Sequence, residues 1–238
     1  MKRETQNILL ILLGGALVKI AVNGDYLRYV KPAQQPWVIA GGAVMVLLGA
    51  VAIVRDLLAR RAVPGDHDGH SHSARPAWLL LVPVLAVFLV APPALGADSV
   101  IRTEARVPAS AAAANAAAFP ALPAGDVVPL SVNEFVSRAG WDAAGTLNGR
   151  TVSLTGFVVH TEGSTLLARL VISCCAADAF PVTVRLRGGE ADHLASDAWI
   201  QVTGQVVPGT ATKASNYTPD FTPASLTTVP TPKDPYEY

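Results

Sequence analysis

The feature that most constrains this chain is a set of three apolar blocks within its first hundred residues. The blocks are Ile8–Val22, Trp37–Val54 and Trp78–Leu95, and Lys19 is the single charged residue inside them. A membrane-spanning helix needs about 20 mainly apolar residues, with a usable range of about 17 to 25. The sequence therefore predicts an α-helical transmembrane region of three helices, over about residues 8–29, 37–54 and 78–95.

The first block has two other interpretations. A signal peptide also combines a basic start, here Lys2 and Arg3, with a short apolar core. However, the residues that follow the block, Asn23–Tyr26, do not form a small-residue cleavage site. The first block could instead lie in the membrane interface beside two true spans. We favour three retained spans.

Basic residues near the block ends set the expected orientation, because cytoplasmic loops carry an excess of Lys and Arg. With the N-terminus in the cytoplasm, the inner side receives Arg55, Arg60 and Arg61 in one short loop. The outer side receives fewer basic residues. We therefore expect a multi-pass plasma-membrane protein whose N-terminus is cytoplasmic and whose C-terminal half is extracytoplasmic.

Composition narrows the class of function. Charged residues make up only 15% of the 238 residues, against about 25% in soluble domains, which excludes an ordinary soluble enzyme. The formal net charge is zero, but residues 1–126 carry +3 and residues 127–238 carry −3. An acidic half lacks the positive groove that nucleic-acid binding needs. We expect the lipid bilayer, and no nucleic acid, as a partner.

The second half predicts a linker and a small folded domain. Residues 98–126 are rich in Ala and Pro, which is typical of a linker. In the domain 127–238, Ser131 and Glu134 form a capping box that predicts a short leading helix. Five short apolar runs with strand character follow, with a helical turn expected at 190–196 between the third and fourth. This order predicts a small all-β domain, an OB-like barrel of the oligonucleotide/oligosaccharide-binding type.

Two adjacent cysteines, Cys174 and Cys175, are the first candidates for chemistry. Neighbouring side chains on a strand point to opposite faces, so the two thiols can share one metal ion only if the chain turns there. Thiolates bind metals and carry redox chemistry, whereas a disulfide between neighbours would close a strained ring. Three interpretations stay open: a metal or thiol-redox site, a vicinal disulfide, and a purely structural role.

A histidine tract precedes the third block, in the segment Asp66–His72. Its imidazoles belong to His67, His70 and His72, and neutral imidazole suits zinc, copper and nickel. The tract predicts a weak, flexible metal site, and the alternative is a polar loop between helices. No nucleophile elbow, phosphate loop, HExxH motif or paired-carboxylate pattern occurs in the sequence, so we do not expect an enzyme.

Three residues of the first two blocks are candidates for contacts within the membrane. Lys19 either has a functional partner or extends its ammonium group to the interface, and we favour the second. Gly42 and Gly49 are seven residues apart, which places them on one helix face. Small residues let membrane helices approach closely. We predict that this face contacts another helix, of the same chain or of a partner.

Taken in order, these features resemble the YcgQ-type family of bacterial permease subunits, which is poorly characterised. The resemblance is carried by a Ser-Cys-Cys-x-Ala-Asp motif at Ser173–Asp178, a Trp-x-x-Val-x-Gly core at Trp199–Gly204 and an Asp-Pro-Tyr ending at Asp234–Tyr236. The stretch Tyr29–Pro32 and the His-containing loop, residues 62–75, match as well. The resemblance therefore touches both ends of the chain and its membrane half.

The resemblance implies a membrane protein paired with a polytopic YcgR-type permease and linked to metal-ion homeostasis. We take Cys174, Cys175 and Asp178 as the candidate metal ligands of the C-terminal domain, with zinc or another transition metal as the expected ion. The sequence alone commits to no cofactor. Our leading hypothesis is an accessory permease subunit. The alternatives are a membrane-anchored thiol-redox or metal-dependent protein, and a structural scaffold.

Overall fold

Two long helices begin the chain in the computed structural model, which describes residues 3–62, 82, 85–86, 89–90, 93–103 and 119–238. The chain divides into an N-terminal unit, Met1–Pro93, and a C-terminal unit, Ala94–Tyr238. Most of the third apolar block lies outside the described residues. The third transmembrane helix therefore stays a prediction.

Among the described residues of the N-terminal unit, the two long helices are α1 (Arg3–Asn23) and α2 (Gln35–Ala62). Both are long and apolar enough to cross a membrane. The first span was predicted to continue to residue 29, but α1 ends at Asn23 because Gly24 has a left-handed φ of 86°. Glycine adopts that conformation without steric cost, which makes it a common helix terminator. The α2 helix continues past the predicted end at residue 54, because the charged residues that follow the apolar block are good helix formers.

Small residues lie between α1 and α2. A Cβ atom on Gly42 would lie 2.8 Å from the Gly14 carbonyl oxygen, and one on Gly49 would lie 2.6 Å from a side-chain carbon of Ile11. The large side chains face outward instead, and Trp37 is 74% exposed. The two helices therefore approach backbone to backbone, and their outer surface is apolar.

The C-terminal unit contains two short α-helices and seven strands among the described residues. The helices are α3 (Ala97–Arg102) and α4 (Val132–Trp141). The strands are β1 (Val128–Pro129), β2 (Val152–Thr161), β3 (Ser164–Val171), β4 (Phe180–Leu186), β5 (Trp199–Val206), β6 (Asp220–Thr228) and β7 (Tyr236–Glu237).

All seven strands belong to one sheet. Strand β2 pairs antiparallel with both β3 and β5; β3 also pairs antiparallel with β4, and β5 with β6. The β4 and β6 strands pair in parallel. The short strands β1 and β7 add in parallel to β2 and β3. These pairings place the end of β3 beside the last residues of the chain.

The leading helix forms at the predicted place. The Ser131 side chain accepts a hydrogen bond from the Glu134 backbone N–H at 3.0 Å, and Trp141 is the last helical residue. The helical turn expected at 190–196 is absent; in this described segment the chain makes hydrogen-bonded turns, among them one from the Asp192 N–H to the Gly189 carbonyl. The preceding glycines Gly188 and Gly189 both have positive φ, and glycine disfavours a helix.

The C-terminal unit, which we call the sheet unit, has two apolar clusters among its described residues. The larger packs α4 against the sheet around Phe135, Leu154 and Phe221. The second joins Phe157 and Trp199 to Ala97 of α3 and includes Tyr236 near the C-terminus. The α3 helix is therefore part of the sheet unit, and the first residues of the predicted linker, 98–102, are folded onto it instead.

Candidate functional site

The adjacent cysteines lie on a turn between β3 and β4. Strand β3 ends at Val171, and the N–H of the buried residue Ile172 donates to the Glu237 carbonyl at 3.0 Å. The chain then turns into a single 3-10 turn, Ala176–Asp178, before β4 begins. Cys174 lies in a bend and Cys175 is an extended residue in an isolated bridge. Both follow the end of β3, so the alternation along that strand does not dictate where their side chains point.

Asp178 organises this turn. One carboxylate oxygen accepts the Ser173 N–H at 2.8 Å, and the other accepts the Cys174 N–H at 2.9 Å. The second oxygen also accepts the Cys174 thiol at 3.0 Å. The carboxylate therefore fixes the backbone of the cysteine pair and directs one thiol toward itself.

The Cys174 thiol, the Cys175 thiol and an Asp178 carboxylate oxygen form one cluster, in which these atoms all lie within 4.8 Å of one another. The two sulfur atoms are 3.8 Å apart. Cys174 is exposed and Cys175 is half-buried. The cluster therefore offers two sulfur donors and one oxygen donor to a single ion at the surface.

The cluster also shifts the acidity of its members. The hydrogen bond to Asp178 raises the pKa of the Cys174 thiol from 9.0 to about 11, and the Cys175 thiol adds to the effect. The same thiol hydrogen bond lowers the pKa of Asp178, and the backbone donors Ser173 and Cys174 lower it further. At neutral pH the site therefore holds a carboxylate beside a protonated thiol.

The other predicted contact residues lie in the N-terminal unit. Gly42 and Gly49 face α1 of the same chain, and Lys19 is exposed on α1. His67, His70 and His72 lie outside the described residues. The structure therefore brings together three of the predicted site residues, Cys174, Cys175 and Asp178, and assigns the two glycines to a helix contact within the chain.

Sequence reasoning missed a buried charged pair next to the cysteine turn. The Arg169 guanidinium donates to the Tyr236 carbonyl at 2.9 Å and lies 3.5 Å from the Glu237 carboxylate. That carboxylate accepts the N–H groups of Val132 and Asn133, at 2.9 and 2.7 Å. It therefore ties the C-terminus to the start of α4. The two charges are distant in sequence, so only the fold reveals that they pair.

Two further polar groups of the sheet unit are satisfied internally. The His160 ring nitrogens lie 3.2 Å from the Thr165 hydroxyl and 2.7 Å from the Leu194 carbonyl. A cavity of about 200 Å³ adjoins the end of α4, where the Arg138 guanidinium already binds Glu134. Neither place offers a free ligand set comparable to the cysteine cluster.

Comparison with known proteins adds one match. Residues 142–238 match the family model described as the DUF1980 C-terminal domain. That segment contains β2 to β7 and the whole cysteine turn. No curated protein and no solved structure matches the chain significantly.

Proposed function

We propose that this chain is a membrane-anchored accessory subunit of a permease, and that its sheet unit binds a transition-metal cation, zinc above all, through Cys174, Cys175 and Asp178. The observation that carries the proposal is the convergence of two sulfur atoms and one carboxylate oxygen within 4.8 Å. Metal handling is also what the family resemblance implies.

The donor set favours zinc over other common ions. Zinc accepts thiolate and carboxylate ligands and is usually tetrahedral. Magnesium and calcium prefer sites made of oxygen alone, and Cu(I) prefers purely soft sulfur ligands. Three protein ligands leave a fourth position for water or for a ligand from a partner, which suits a site that takes up an ion and passes it on.

A thiol-redox role for Cys174 is disfavoured by the electrostatics of the turn. A redox cysteine needs an accessible thiolate, but the carboxylate of Asp178 raises the pKa of Cys174 to about 11. A divalent cation reverses this situation, because its charge displaces the thiol proton and is attracted to the same carboxylate. A purely structural role is also disfavoured, because Cys174 is exposed rather than part of an apolar cluster.

The membrane assignment is supported by α1 and α2, whose outward-facing surface is apolar. With the third apolar block as a further span, the sheet unit lies outside the cytoplasm. We also propose that this unit is an OB-like barrel, since the pairings run from β2 through β5, β6, β4 and β3 back to β2. The role is one of binding and delivery, with no catalytic step assigned to this chain.

A zinc titration of the full chain in detergent tests the metal proposal. We expect one zinc ion per chain bound with thiolate ligands, and a loss of affinity of at least about 100-fold in Cys174→Ser and Cys175→Ser. Asp178→Asn should weaken binding less, because a neutral amide oxygen replaces one ligand while both sulfurs remain. Ser173→Ala is the matched control, since its side chain is not among the proposed ligands. Equal affinity in wild type and both cysteine variants would contradict the proposal.

The permease proposal is tested separately, by purifying the tagged full chain from native membranes in mild detergent. A polytopic membrane protein recovered in a fixed ratio to this chain is the expected result. Recovery of the chain alone, under conditions that keep other membrane complexes intact, would contradict it.

A further inference from the structure

We infer that Cys174 and Cys175 are prevented from forming a disulfide with each other because they lie on a turn whose backbone is held by hydrogen bonds. The dithiol therefore stays available to a metal ion in an oxidising compartment. This inference rests on the proposed function, in which the sheet unit is a thiolate metal site outside the cytoplasm. Disulfides normally form and persist in such compartments, so an exposed dithiol there needs a structural reason to stay reduced.

Chain geometry supplies the first part of that reason. The Cα atoms of neighbouring residues are about 3.8 Å apart across a trans peptide bond. Ordinary disulfides join Cα atoms that are about 4.4 to 6.8 Å apart, and bonds outside this range are strained and easily reduced. A bond between adjacent cysteines therefore requires the intervening backbone to distort.

The structure shows that the backbone on both sides of this peptide is held in place, and the Cys175 N–H also donates to the Asp178 carboxylate. The N–H groups of Ser173 and Cys174 both donate to Asp178, at 2.8 and 2.9 Å. Just before them, the Ile172 N–H is bound to the Glu237 carbonyl at 3.0 Å. Just after them, Ala176 packs against the second apolar cluster. The sulfur atoms are 3.8 Å apart and would have to approach to about 2.0 Å, which this anchoring opposes.

The rest of the chain offers no alternative partner, because it contains only two cysteines. Oxidation by a disulfide such as oxidised glutathione would begin when one protein thiolate attacks it, releasing one glutathione thiolate and leaving a mixed disulfide. The second protein thiolate would then attack the protein sulfur and release the second glutathione. The two thiol protons would go to the two glutathione molecules. The strained second step is the one that the turn disfavours.

The test is a redox titration of the metal-free full chain in detergent, in glutathione buffers of increasing oxidised fraction. Intact mass distinguishes an internal disulfide, which loses two hydrogens, from added glutathione. The matched control is the double variant Cys175→Ala/Ala177→Cys, which separates the two thiols by two residues on the same exposed turn.

We expect the equilibrium constant for internal oxidation to be at least about 100-fold smaller in the wild type than in this control, which corresponds to about 60 mV for a two-electron couple. Asp178→Asn, which loosens the turn, should shift the wild-type constant toward the control. An internal disulfide that forms as readily in the wild type as in the control would overturn the inference, as would an Asp178→Asn variant that behaves like the wild type.

A parallel zinc titration of the reduced wild type separates the two proposals. A chain that binds zinc but readily forms the internal disulfide would overturn this inference and would still support the proposed metal site. A chain that resists oxidation but binds no zinc would overturn the metal site alone.

Discussion

The two units of the molecule distribute large and small side chains in opposite ways. In α1 and α2 the buried positions belong to small residues such as Gly14, Ala16 and Gly42, while Leu47 is 62% exposed. In the sheet unit the most buried side chains are large, and Phe135 and Phe221 have no exposed surface. The hydrophobic effect places large apolar groups inside a protein only when the surroundings are water.

The difference indicates which surroundings each unit is built for. The sheet unit buries apolar area against water, as a soluble domain does. The close backbone approach of α1 and α2 is the packing expected of helices in a membrane, where lipid tails are as apolar as the side chains, and it supports the proposed membrane location.

The largest effect is expected from Phe135→Ala in the sheet unit. Removal of a fully buried aromatic ring leaves a cavity and should lower the free energy of unfolding by about 3 to 5 kcal/mol. Leu47→Ala, which removes an exposed side chain from α2, should change the stability of the sheet unit by less than about 0.5 kcal/mol. Hydrogen exchange of the β2 to β5 backbone in detergent measures both. An equal loss of hydrogen-exchange protection in the two variants would contradict the proposed difference between the two units.

A smaller effect is expected where the two helices meet. A side chain at Gly42 would clash with Gly14 and Val18 of α1, so Gly42→Leu should weaken the helix pair by about 1 to 3 kcal/mol. Gly41→Leu is the matched control, because nothing lies within 4 Å of a Cβ at that position. The Gly41→Leu variant also corrects for the higher helix propensity of leucine than of glycine. Distance measurements between spin labels on α1 and α2 should show separation in the first variant and none in the second.

The third prediction concerns the pKa of Cys174 at the polar turn. Asp178→Asn removes the hydrogen-bonded carboxylate that raises this pKa to about 11, so the value should fall toward 9.0. At a pH well below the pKa, each unit of decrease in the pKa raises the thiolate fraction about tenfold. The thiolate is the form that reacts with an alkylating agent. Alkylation of Cys174 at pH 8 should therefore be faster in the variant. Cys175→Ala, applied in both backgrounds, confines the reaction to one thiol, and an unchanged rate would contradict the assignment.

The smallest effect is expected from the buried charge of Glu237. Burial raises the pKa of this carboxyl, so the folded protein binds its proton more tightly than the unfolded chain does. The contribution to stability is therefore fully present below the ordinary pKa of 4.5 and is lost as the pH rises through the folded value. The stability of wild type relative to Glu237→Gln should accordingly fall as the pH rises from 4 to 8.

The matched control for this pH series is Glu162→Gln, which removes an exposed carboxylate from the turn between β2 and β3. Its stability relative to wild type should change less with pH. A stability difference between wild type and Glu237→Gln that increases with pH would mean that the ion pair with Arg169 outweighs the cost of burial.

Local sequence signals predicted those parts of the fold that depend on local forces. The leading helix follows from a cap between Ser131 and Glu134, which is a contact over a single turn. The strands follow from alternation of apolar residues, which reports burial on one face. The end of α1 was misplaced because Gly24 interrupts the helix before the apolar character of the sequence ends.

The site was predictable only in part. The sequence names the two cysteines and Asp178 but cannot show whether their side chains converge, since that depends on whether β3 has ended before Cys174. The turn forms because Asp178 accepts backbone donors from residues before it. The pair of Arg169 and Glu237, which anchors the base of the turn, depends on the parallel addition of β7 to β3. No local pattern encodes such long-range pairing.

The most direct test of the central claim is X-ray absorption at the zinc edge on the zinc-loaded full chain. We predict two sulfur ligands at about 2.3 Å, with the remaining shell made of oxygen or nitrogen at about 2.0 to 2.2 Å. The sulfur shell should disappear in Cys174→Ser/Cys175→Ser. A shell of nitrogen and oxygen alone in the wild type would place the ion elsewhere in the chain, such as His67, His70 and His72, and would contradict the assignment of the metal to the cysteine turn.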